Sequence, residues 1–122
     1  MGKIYSKGDI VFLKNMKLID YDGSSRLDNR INGHPFIVLN DIDEFGETVL
    51  CLKCSSSEKG KRKGCHLIIE NLKMKGIHNK LSYVDIVNVY KFEVNTVVVP
   101  VGKISNPKMR EIMEKVKDKI NI

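Results

Sequence analysis

His34 stands between Gly33 and Pro35 at the start of an apolar run. Proline has no amide hydrogen and keeps the preceding backbone extended, so this imidazole is held in place at the mouth of the run. With an ordinary pKa of about 6.5, histidine both gives and takes protons near neutrality. That is the chemistry a metal-free cut in an RNA phosphodiester requires: a base for the ribose 2′-hydroxyl, an acid for the leaving 5′-oxygen, and cations around the phosphate. Taken alone, His34 reads more simply as a residue that fills the rim of a barrel. Ser55 closes another apolar run and would lie near His34 if the two runs pair as a hairpin, where its hydroxyl could bind or orient a phosphate. A serine at such a place is also an ordinary turn former. Lys53, two residues earlier on the same face, and Arg26 or Arg30 from the loop before His34 could supply the cations or simply be solvated.

Cys51, Cys54, Cys65, His66 and His78 are ligand types that zinc accepts. Geometry argues against a shared ion, because residues three apart in a strand point to opposite faces and no knuckle turn separates Cys51 from Cys54. Buried thiols acting as small hydrophobes explain the pair better. No metal and no cofactor is expected. Three cysteines cannot all pair within one chain, and the amino terminus has no charged-then-apolar leader, so free thiols and a cytoplasmic location are expected.

The formal net charge is +6. From Lys53 to Lys80 eight basic residues face two acidic ones, a net +6, and the remainder is balanced at 13 against 13. Lys53, Lys59, Lys61, Arg62 and Lys63 begin this stretch, and the concentration of charge suits phosphate. An exposed lysine-rich loop without a partner is the plainer alternative.

The elements that must position these residues follow from pattern. Ile10 to Leu13, Phe36 to Leu39, Thr48 to Cys54 and Cys65 to Ile69 read as short strands, Lys80 to Tyr90 as a longer one, and Thr96 to Val101 as another. The polar stretch from Asn15 to Gly33 shows no period and reads as one long candidate active-site loop. Asn106 can cap a helix with Pro107 in its first turn, and Met109, Ile112, Met113, Val116 and Ile120 recur at helical spacing. At 122 residues with 42% hydrophobic content, residues 1–122 are expected to form a single domain. The pattern predicts an α+β fold, mostly β: a small antiparallel barrel with one C-terminal helix. No run is long and apolar enough to span a membrane.

The order of these motifs resembles the MazF/PemK family of toxin endoribonucleases. The resemblance rests on Lys7-Gly8-Asp9-Ile10-Val11, the long first loop, His34-Pro35-Phe36-Ile37-Val38-Leu39-Asn40-Asp41, Ser55, the run from Ser82 to Val89, Val101-Gly102-Lys103-Ile104-Ser105 and the terminal helix. It implies an SH3-like barrel acting as a homodimer. The implied activity is metal-independent, sequence-selective cleavage of single-stranded RNA to 2′,3′-cyclic phosphate and 5′-hydroxyl ends. A cognate antitoxin would block it, a protein ahead of an RNA. His34, Ser55 and Arg30 then become the catalytic group, and Arg26, Lys53, Lys59, Lys61, Arg62 and Lys63 the RNA-binding residues. Where the family places arginine before the proline, this chain has His34, and Arg30 could stand in for the missing guanidinium. The competing reading is a barrel without catalysis that binds nucleic acid or inhibits a protein target, like the gyrase poisons that share the fold.

Overall fold

The computed structural model of the chain describes residues 3–14, 16–20, 22–28, 33–43, 48–55, 66–76, 81–93 and 99–120. In chain order the first strands are β1 (Lys3–Tyr5), β2 (Asp9–Leu13), β3 (Leu18–Ile19), β4 (Ser25–Arg26), β5 (His34–Val38) and β6 (Ile42–Asp43). They are followed by β7 (Thr48–Ser55), β8 (His66–Glu70), β9 (Leu81–Asp85), β10 (Tyr90–Glu93), β11 (Gly102–Lys103) and one helix, α1 (Asn106–Ile120). The strand pairs are antiparallel, and together with α1 they make a small, barrel-like α+β fold.

Three apolar strands form the centre. β2 pairs with β5, and β5 with β7, in a register that aligns Ile10 with Ile37 and Ile37 with Leu52. The paired middles of these runs are apolar because side chains on both faces of the sheet are buried there. On one face Val11, Leu13, Phe36, Val38, Cys51 and Phe92 pack together, with Phe36 and Phe92 edge to face at 5.1 Å between ring centres. On the other, Ile10, Ile37, Leu52, Cys54 and Val84 meet Met109, Ile112 and Val116 of α1. The two methionines of the helix behave as its core stripe: Met109 is buried, and Met113 packs half-buried against the same cluster.

Ser105, not Asn106, caps the helix. Its hydroxyl accepts the Lys108 amide at 3.4 Å, and its carbonyl accepts the Met109 amide at 2.8 Å, closing the first turn. Asn106 therefore already stands inside the first turn. Lys117 and Lys119 lie in the last turn, where their charge complements the helix dipole.

Three expectations change in detail. The stretch after Asn15 is not wholly irregular: β3 and β4 form a hairpin pairing Leu18 with Arg26 and Ile19 with Ser25, too short for a periodic signal. Lys80 to Tyr90 is not one strand. Asp85 accepts the Val87 and Asn88 amides at 2.9 and 3.0 Å, and the resulting turn separates β9 from β10. The last strand falls at Gly102–Lys103 instead of ending at Val101, and pairs with β2. Residues 94–98 lie outside the described residues, as do Cys65 and Lys80. Among the described residues no helix is long and apolar enough to cross a membrane.

Candidate functional site

Alternation along the paired strands decides which side chains meet. Phe36 pairs with Lys53, the last pair of the β5–β7 ladder. His34 and Ser55 each lie two residues further along on that same face, so both stand at the same end of adjacent strands. Gly33 delivers the chain there with φ 87°, a conformation that favours glycine, while its amide donates to the Leu13 carbonyl at 2.8 Å. His34 then pairs with Leu13 of β2. His34, Lys53 and Ser55 are all half-buried at the edge of the Phe36 core. The pairing of β5 with β7 thus sets one imidazole, one hydroxyl and one ammonium on a common face.

The face continues across two more strands. Ser55 pairs with Tyr83 of β9, which pairs with Ile68 of β8. One step to either side, Asp85 pairs with His66, and Leu81 with Glu70. Apart from His66, named above among the zinc-type ligands, none of these neighbours stands out in the sequence, because their relation to Ser55 exists only once β9 is known to pair with the end of β7. Asp85 is occupied by its own turn, accepting the Asn88 side-chain amide at 3.0 Å as well as the two backbone amides. The Nδ1 atom of His66 is buried without a hydrogen-bond partner among the described residues.

Arg26 is engaged elsewhere. Its Nε donates to both oxygens of Asp20 at 3.2 and 3.0 Å, and its Nη1 to Asp28 at 2.9 Å. Donating hydrogen bonds to Asp28 first, then to Asp20, holds the guanidinium pKa above its ordinary value. The Asp28 side chain is only 5% exposed, so its charge is neutralised by this contact. Arg26 therefore fastens the β3–β4 hairpin. Arg30, Lys59, Lys61, Arg62 and Lys63 lie outside the described residues.

Cys51 and Cys54 are free thiols on opposite faces of β7, one in each core. Burial pushes the Cys54 thiol up to about 12 and raises that of Cys51 as well. Among the described residues no three His, Cys, Asp or Glu side chains stand close enough to hold a metal ion. His78, which completes the zinc-type set in the sequence, lies outside them.

A groove of about 450 Å³ lies between the hairpin and β10, lined among others by Leu18, Ile19, Leu50, Val89, Tyr90 and Lys91. It holds none of the His34, Lys53 and Ser55 group. In comparisons with known proteins the chain matches no protein-family model and no curated protein sequence.

Proposed function

We propose that this chain is the toxin of a toxin–antitoxin system, a metal-independent endoribonuclease on an SH3-like barrel of MazF/PemK type, acting in the cytoplasm as a homodimer restrained by a cognate antitoxin. The observation that carries the reading is the placement of His34, Lys53 and Ser55 on one face at one end of β5 and β7. A proton-transfer group, a hydroxyl and a cation are what transphosphorylation of RNA uses.

In this reading the ribose 2′-oxygen loses its proton to a base and attacks the adjacent phosphorus. The bond from phosphorus to the 5′-oxygen breaks, and that oxygen takes a proton. The products are a 2′,3′-cyclic phosphate and a 5′-hydroxyl, and nothing else is consumed. His34 serves as the base or the acid, Ser55 donates a hydrogen bond that orients the phosphate, and Lys53 stabilises the charge that builds on its oxygens. Arg30 is assigned a supporting cationic role from the sequence.

Purified protein incubated with single-stranded RNA in excess chelator tests this reading. Fragments ending in 2′,3′-cyclic phosphate are expected. RNA that is bound but left intact would instead favour the adaptor reading, and neither binding nor cutting would sink both.

A further inference from the structure

Among the described residues β8 pairs only with β9, in an unbroken register that runs from His66 opposite Asp85 to Glu70 opposite Leu81. Its other side is an edge. Such an edge offers backbone donors and acceptors to a further chain, and proteins usually blunt it with lysine, proline or a bulge. The run His66-Leu67-Ile68-Ile69-Glu70 contains none of these. Ile68, its middle residue, is 52% exposed and shares a face with His66 and Glu70, whereas Ile69 on the opposite face is buried. The chain leaves the strand at Asn71, whose φ is 50°, so the regular edge is these five residues.

This edge is complementary to itself. When a strand pairs antiparallel with a second copy about its middle residue, each residue meets the one equally far on the other side of the two-fold axis. Ile68 then meets Ile68, Leu67 meets Ile69, and His66 meets Glu70. Every cross-strand pair is apolar with apolar or imidazole with carboxylate. Moving the axis by two residues would set Glu70 against Glu70 or His66 against His66, so the central register is the favoured one. Within one chain neither His66 nor Glu70 forms an ion pair among the described residues, which leaves both for the partner. We propose that two copies of this chain pair through the β8 edge, so that the sheet continues from β9 and β8 of one copy into β8 and β9 of the other. The inference rests on the homodimer proposed above, to which it gives an interface, and is independent of RNA cleavage. The match of His66 to Glu70 across the axis selects a second copy over an unrelated strand.

Sedimentation equilibrium of the full chain through the micromolar range tests the edge, with circular dichroism of each variant to verify its fold. The wild type is expected to show a reversible monomer–dimer equilibrium. Glu70→Lys sets an ammonium opposite the imidazole twice per dimer and should raise the dissociation constant about tenfold. Adding His66→Glu to that variant returns opposite charges to the axis and should restore the dimer. Ile68→Lys brings two ammonium groups together on the axis and should leave only monomer. A wild type that stays monomeric, a dimer that Ile68→Lys does not weaken, or a double variant no tighter than Glu70→Lys alone would overturn the edge. If these substitutions act as expected but the wild type leaves RNA uncut, the nuclease reading fails and the edge stands.

Discussion

Thiols are strong nucleophiles only when ionised, and at positions 51 and 54 burial prevents ionisation. An exposed thiol loses its proton near 9.0, whereas that of Cys54 keeps it to about 12 because the apolar surroundings penalise the charged form. Above the lower value only the unfolded chain gives up the proton. Stability is therefore untouched below it and falls as pH rises through this window, by about 1.4 kcal/mol per pH unit for a buried thiol. Urea midpoints measured along this alkaline range should decline, and the decline should be shallower in Cys54→Ala. An unchanged pH dependence in the variant would contradict the burial argument. Alternation alone places these two thiols correctly, one per face. Arg26 could not be read the same way, because the carboxylates that hold it come from a hairpin two residues wide, and Asp28 looks like any loop aspartate until its burial is known.

At the scale of elements, the turn Lys7-Gly8-Asp9 has a structural task. Gly8 adopts φ 94°, its amide donates to the Val38 carbonyl, and its own carbonyl accepts the Ile104 amide, both at 2.8 Å. Asp9 accepts the Ser6 amide at 2.9 Å and meets Lys103 Nζ at 3.4 Å, while Asp41 accepts the Lys7 amide at 2.8 Å. These bonds tie the start of β2 to the end of β5 and to the segment leading into α1. A β-carbon at Gly8 would lie 3.2 Å from Met109 Cγ and 3.3 Å from the Ile104 oxygen, in a backbone conformation that side chains rarely adopt. Gly8→Ala is accordingly expected to lower unfolding free energy by about 1–3 kcal/mol, read as a lower urea midpoint at constant slope. No change in midpoint would show that the clasp is not needed. Strands β2, β5 and β7 are legible in the sequence because most of their side chains on both faces are buried, giving mainly apolar runs. The turn after Asp85 is hidden by the β-branched residues around it, whose strand propensity is overruled by the Asp85 carboxylate.

On the scale of the whole molecule, the sheet carries two cores, and the helix covers only one of its faces. The opposite face runs from the Phe36 core out to His34, Lys53 and Ser55, and this end of β5 and β7 is where the account places RNA. Sequence pattern could nominate His34, Lys53 and Ser55, since His34 and Ser55 sit at strand termini and Lys53 lies two residues inside one, on the same face. It could not extend the face to Tyr83, Ile68 and Leu81, which join it only through the pairing of β9 with the end of β7, two strands that are not consecutive in the chain. The central claim is that the His34 imidazole moves a proton during RNA cleavage. Single-turnover cleavage of single-stranded RNA in excess chelator, compared between the wild-type chain and His34→Ala across neutral pH, tests it most directly. The account predicts cyclic-phosphate products from the wild type, a rate that changes across neutral pH, and a loss of about a hundredfold or more together with that pH dependence in His34→Ala. Cleavage by His34→Ala at the wild-type rate, with the same pH profile, would contradict it.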